Sequence, residues 1–240
     1  MTNAANNLEM LKTELAAHGT PEKAKASAWF FKTGPGQYGE GDVFLGVTVP
    51  EQRKVVKKYR DLPLGQVEQL LQSQIHEHRL TALLILVDQF KRGGDEVQAL
   101  IYDFYLANTT WINNWDLVDS SAPTIVGGFL LTRDRSVLRE LASSDSLWER
   151  RIAILATFAF INEGEAADTL AIAEILLYDE HDLIHKAVGW ALREVGKRVS
   201  QEAEEEFLLK HYRTMPRTTL RYAIERFPED LRQGYLKGRI

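Results

Sequence analysis

Two stretches, Glu77-His78-Arg79-Leu80-Thr81-Ala82-Leu83-Leu84 and Glu149-Arg150-Arg151-Ile152-Ala153-Ile154-Leu155-Ala156, carry one pattern 72 residues apart: a charged helix start running into an apolar segment. Half of that offset lands on Trp115, in Asn114-Trp115-Asp116-Leu117-Val118-Asp119, which also opens a helix. Steps of 35 beyond Arg151 reach Lys186 and then Arg221. A period of 35 to 36 residues with two helices per unit is the mark of a solenoid, because each helix pair buries its apolar face only by stacking on its neighbours. The expected fold is all-α, an α-α superhelix of helix pairs. Arg79, Trp115, Arg151, Lys186 and Arg221 would fall in register on a concave basic face. The same series also fits long basic residues that merely decorate exposed helix starts.

The rest of the chain agrees with helix throughout. Apolar residues recur at helical spacing, while Thr20-Pro21-Glu22 and Val49-Pro50-Glu51 mark helix starts and Gly93-Gly94 marks a break. At 240 residues and 45% hydrophobic content the chain can bury a sizeable core, so one domain over 1–240 is expected. The one long irregular stretch is the Gly-rich loop at about 33–47, with glycines at 34, 36, 39, 41 and 46. It lacks the Lys-Ser/Thr of a P-loop and its acidic end would repel phosphate, so it reads as a mobile loop or lid.

Composition narrows the chemistry. Without cysteine there is no disulfide framework, thiolate metal site or thiol nucleophile. The longest apolar run, Ala82 to Val87, is far too short to span a bilayer, and the first residues carry no secretory pattern. A location in the bacterial cytoplasm or nucleoid, and no membrane partner, are therefore expected. A net charge of -5 gives no bulk attraction to nucleic acid, so any phosphate contact depends on where the cations sit.

Two helices stand out. From Ile184 onward, Ile184, Ala187, Val188, Ala191, Leu192 and Val195 fall at core spacing, and Lys186, Trp190, Arg193 and Lys197 fall on the opposite side. A cationic strip around an indole suits phosphates plus a sugar or base, although Trp190 also fits a packing role against the next repeat. In the helix at Trp115, Asp116 is explained by its place in the first turn. Asp119 lies four residues after Trp115 on the same face, where a carboxylate beside an aromatic ring could stabilise positive charge in a substrate. An ion pair from Asp119 to Arg150 or Arg151 fits the spacing equally well. His181 and His185 are spaced as in HExxH, yet Asp stands in place of the general-base Glu and no third ligand is evident. His76-Glu77-His78 offers only an i, i+2 pair, so no metal is expected.

At this point the chain resembles the HEAT-like-repeat DNA alkylation repair proteins of the AlkD type, from about Ala26 to Arg226. The likeness rests on Phe44-Leu45-Gly46-Val47-Thr48-Val49-Pro50-Glu51-Gln52-Arg53, Trp115-Asp116-Leu117-Val118-Asp119-Ser120-Ser121-Ala122-Pro123, Trp148 to Leu155, and Lys186-Ala187-Val188-Gly189-Trp190-Ala191-Leu192-Arg193-Glu194. The resemblance implies HEAT-like helix pairs and a monofunctional DNA glycosylase, a hydrolase that removes cationic alkylated purines such as N3-alkyladenine and N7-alkylguanine. It implies that Trp115 and Trp190 contact the damaged nucleotide's backbone, that Asp119 is the catalytic carboxylate and that Arg151 and Arg193 hold phosphate. No cofactor is implied; the partner is alkylated or distorted double-stranded DNA, and a monomer is expected. The family's active form carries a tyrosine in an early helix, where this chain has Ala28-Trp29-Phe30-Phe31-Lys32 with Phe30 nearest that position. The alternative is a non-catalytic member that binds damaged or branched DNA. A solenoid that holds a peptide is a third reading.

Overall fold

The computed structural model describes residues 2–240, with side chains from Asn7 onward. The described residues are helical with intervening loops, and the only β pairing among them is one isolated parallel bridge, Val43 to Ile75. None of these helices is long and apolar enough to cross a membrane. The chain packs as two compact units, Met1–Ser121 and Ala122–Ile240.

Unit 1 holds α1 (Thr2–His18), α2 (Pro21–Phe30), α3 (Val49–Lys58), α4 (Leu64–Leu71), α5 (His76–Arg92), α6 (Asp95–Ala107) and α7, which runs Trp115–Ala122 and ends at the boundary. Its helix starts are where the sequence puts them. The Thr20 hydroxyl accepts from the Lys23 amide with Pro21 at the first helical position. Thr48 and Glu51 close a capping box around Pro50. Helix α5 is buried continuously from His76 to Leu86 because α3, α4 and α6 all pack on it, and Gly93 ends it.

The second half of the Gly-rich loop is tied to α5. Val43 exchanges backbone hydrogen bonds with the turn before α5, its N–H donating to Gln74 and its carbonyl accepting from His76. The buried Glu77 carboxylate accepts from three successive loop amides, Leu45 at 3.0 Å, Gly46 at 2.7 Å and Val47 at 3.2 Å. Gly46 is required there: its φ is +79°, and a Cβ would lie 2.4 Å from the Ala24 nitrogen and the Thr20 carbonyl oxygen. The acidity that reads as phosphate-repelling is spent on partners inside unit 1.

In unit 2 a π-helical turn, Pro123–Gly127, leads to α8 (Gly128–Leu130), α9 (Val137–Ala142), α10 (Leu147–Ala156), α11 (Phe158–Asn162), α12 (Ala167–Ile175), α13 (Asp182–Arg198), α14 (Gln201–His211) and α15 (Arg217–Ala223). A 3-10 turn, Ile224–Arg226, and α16 (Glu229–Leu236) follow. Helix α13 is the hub, packed by α10, α12, α14 and α15, and it buries the core-spaced set from Ile184 to Val195.

The repeat is visible as a hydrogen-bond device. Ahead of α5, α10 and α13, an oxygen of Ser73, Ser144 or Asp179 accepts the amide two residues on. The backbone carbonyl of the same residue accepts from a side chain six residues on: Arg79, Arg150 and His185. The structural register is thus Arg79, Arg150, His185, and Arg151 and Lys186 each stand one residue past it. Arg79 and Arg151 are buried while Arg221 is exposed, so the basic series is not a uniformly exposed track.

Candidate functional site

In unit 1 the site grows from the start of α7. The buried Asn114 accepts from the Trp115 amide at 2.8 Å and caps the Val118 amide with its carbonyl. Asp116 accepts from the Leu117 amide with one oxygen and, with the other, from His76 Nε2 at 2.8 Å. His76 opens α5 and its Nδ1 reaches the Asp42 carboxylate at 3.0 Å. Asp42 also accepts from Arg79 at 2.6 Å.

Burial alone would push the His76 imidazole down, but its hydrogen bonds to Asp116 and Asp42 outweigh that and hold its pKa at about 9. His76 is therefore an imidazolium that donates from both nitrogens. Burial works the other way on Asp42, yet His76 and Arg79 keep its carboxyl below the ordinary value. The result is a closed run of alternating charge, Arg79, Asp42, His76, Asp116, tying the loop and α5 to the first turn of α7.

Aromatic rings cover this run. Phe31 and Phe44 each lie 4.7 Å from the His76 ring, an arrangement that suits a cation over π faces. Phe31 stacks on Trp115 at 5.3 Å and 24°, and Phe30 meets the same indole edge-on at 5.8 Å. Phe30 and Trp29 are left exposed at 56% and 83%. The half-buried Trp115 is thus a ring held from behind by a charged, packed wall. Asp119 is half-buried one turn further along α7, and it adds to burial in keeping the Tyr105 phenol neutral. Phe30, Trp115 and Asp119 are sequence-predicted residues of this unit. Asp42, His76, Phe31 and Phe44 are not among those predicted, and Asp116 has a partner beyond its helix.

In unit 2, Trp190 is half-buried and Phe158 meets its ring edge-on at 4.7 Å. The expected cationic strip is interleaved with carboxylates. Lys186 pairs with Asp182 at 2.7 Å, Arg193 with Glu225 and with Glu194 at 3.5 Å, and Lys197 with Glu194 at 4.0 Å. Arg151 donates to the Leu183 carbonyl at 2.6 Å, and Arg150 holds Asp179 at 2.6 Å. The two spaced histidines serve the helix start: His181 accepts from the Leu183 amide and His185 reaches the Asp179 carbonyl.

Against known proteins, a family model described as DNA alkylation repair enzyme matches residues 11–227. Among solved structures, one described as a predicted DNA alkylation repair enzyme from Enterococcus faecalis superposes with a TM-score of 0.69 at 18% identity, covering 88% of this chain and 98% of that one. That likeness speaks for the fold. No curated protein matches.

Proposed function

The chain belongs to the DNA alkylation repair enzyme family, and on that premise we propose that it is a DNA glycosylase that hydrolyses the N-glycosidic bond of cationic alkylated purines. The observation that carries the reading is α7 itself: an indole braced by Phe31 and Phe30, with the Asp119 carboxylate one turn along the same face. A purine alkylated at N3 or N7 is positively charged and leaves readily, so the demand on the protein falls on the sugar. In this proposal Asp119 stabilises the oxocarbenium-like sugar and orients the attacking water, and Trp115 presents its π face to the same developing charge. Phe30 contacts the DNA beside Trp115. In unit 2, by likeness to the AlkD type, Trp190 lies against the nucleotide backbone and Arg151 and Arg193 hold phosphates; Lys186 and Lys197, spaced on the Arg193 side of α13, add to that contact.

Release of N7-methylguanine or N3-methyladenine from alkylated DNA tests this directly. The Asp119→Asn protein is expected to release base more slowly by about a hundredfold or more. Equal release by both proteins removes Asp119 from the chemistry. Phe30, which has no hydroxyl where active relatives carry tyrosine, favours the second reading, a non-catalytic binder of damaged or branched DNA. That reading expects salt-sensitive DNA binding with no base release by the wild type.

A further inference from the structure

Helix α2 adds nothing to the buried core of unit 1: none of its ten residues is buried. Yet it ends on two large aromatic side chains, Trp29 and Phe30, and both are exposed. Phe30 leans edge-on against Trp115. Trp29 meets no other ring among the described residues and is the most exposed large apolar side chain among them. One apolar residue left in water is ordinary. What sets Trp29 apart is the charge around it.

Lys25 stands one turn before Trp29 on the same helix face, and Lys32 follows the helix end. Both are exposed, and neither pairs with a carboxylate among the described residues. The cations of α13, by contrast, face Asp182, Glu194 and Glu225. Lys32 is also held at a conformational cost. Its amide donates to the Trp29 carbonyl and the Thr33 amide donates to the Ala28 carbonyl, a double closure that ends a helix through a left-handed residue, usually glycine. Lys32 fills that position at φ +53°, the only non-glycine residue with positive φ among those described. A cation is welcome at a helix C-terminus, but that does not explain a long side chain at the one position where the backbone favours none.

An exposed indole flanked along its helix by two uncompensated cations suits a flat ligand that carries an anion on either side. A nucleotide within a strand has that form, a base between two phosphates. Paired bases hide their faces in the stack, so only an unpaired base offers one. We propose that Trp29 stacks on an unpaired base of double-stranded DNA, with Lys25 and Lys32 reaching the phosphates that flank it. This contact is separate from the one given to Phe30 beside Trp115, and it favours DNA whose stack is already opened. Because every base has a π face, the preference is for the unpaired state and not for a sequence. The proposal rests on DNA as the substrate of the family and not on hydrolysis of the N-glycosidic bond.

Undamaged DNA is the probe, because it holds no alkylated base to release and so keeps this outcome separate from that of Asp119→Asn. A duplex with a single-nucleotide bulge is compared with the fully paired duplex of the same sequence, by fluorescence anisotropy with an end label. The proteins are the wild type, Trp29→Ala, Trp29→Phe and the double variant Lys25→Gln/Lys32→Gln, with circular dichroism confirming the fold of each. The wild type is expected to bind the bulged duplex about tenfold more tightly, as one base–aromatic contact provides. Trp29→Ala should lose that preference while binding the paired duplex as before, and Trp29→Phe should keep part of it. The double lysine variant should weaken binding to both duplexes and lower the slope of log affinity against log salt by about two. With 2-aminopurine as the bulged base, its emission should be quenched by the wild type more than by Trp29→Ala. Absence of saturable DNA binding by the wild type, equal affinity for the two duplexes, or a preference that survives in Trp29→Ala overturns the proposal. So does Trp29-dependent binding to anionic phospholipid vesicles with DNA binding unchanged in Trp29→Ala, which assigns the patch to a membrane surface instead.

Discussion

Replacing His76 by glutamine tests the charge run behind Trp115. Glutamine keeps a donor but no charge, so two buried carboxylates lose the cation between them. Breaking a buried, hydrogen-bonded charge pair from one side costs about 3–5 kcal/mol, and that is the expected loss for His76→Gln near pH 6. The wild-type advantage should then shrink with pH in a defined way. The imidazole pKa is about 9 in the fold against an ordinary 6.5, and each unit is about 1.4 kcal/mol. Proton binding to His76 therefore contributes roughly 3 kcal/mol. Because the folded value is the higher one, this contribution is complete below about pH 6.5 and is lost as pH rises through about 9. Urea melts of both proteins from about pH 6 to about pH 9.5 give the difference curve, which cancels other groups that titrate in the same window, such as the buried Glu204. A difference that does not narrow with pH, or a His76 titration near or below 6.5 by NMR, would refute the reasoning.

Other perturbations are simpler to read. Leu83 is fully buried in α5, and Leu83→Ala should cost about 2–5 kcal/mol in chemical denaturation. Thr48→Ala opens the capping box of α3 and should cost about 1 kcal/mol, measured the same way. Arg150→Ala leaves the 5%-exposed Asp179 carboxylate without its cation and should destabilise by about 3 kcal/mol, more than Arg221→Ala on the exposed face of α15, which should change stability by less than about 0.5 kcal/mol.

Much of the fold is legible in the sequence because it is local. Thr20-Pro21, Thr48 with Glu51, and Gly93 act within a turn of chain, and the structure places helix ends at each of them. The core stripe of α13 follows from spacing alone. The repeat register shows where residue likeness misleads. Aligning Arg79 with Arg151 matches Glu77 to Glu149, but the hydrogen bonds are counted from the turn before each helix, and Ser73 and Ser144 stand 71 apart. The site divides in the same way. Trp115 and Asp119 share a helix face, which spacing reveals, whereas Asp42, His76 and Asp116 meet across tens of residues. Their signals, an acid in a Gly-rich loop, a histidine at a helix start and an aspartate in a first turn, each have an ordinary local explanation. The strip on α13 is legible as cations; its pairs with Asp182 and Glu194 are local to the helix, whereas Glu225 arrives from a later turn.

The nest around Glu77 gives the Gly-rich loop two clocks. The amides of Leu45, Gly46 and Val47 exchange their hydrogens with solvent only when a buried carboxylate lets go of all three, an opening that also releases the stretch bonded to α5. The amides of Gly34, Gly36, Gln37, Gly39 and Glu40 answer to partners no further away than Lys32, and can open without disturbing α5. Deuterium should therefore enter the first half of the loop quickly and the second half at the pace of α5, and a protease should cut between Gly34 and Gly41 before it reaches Phe44.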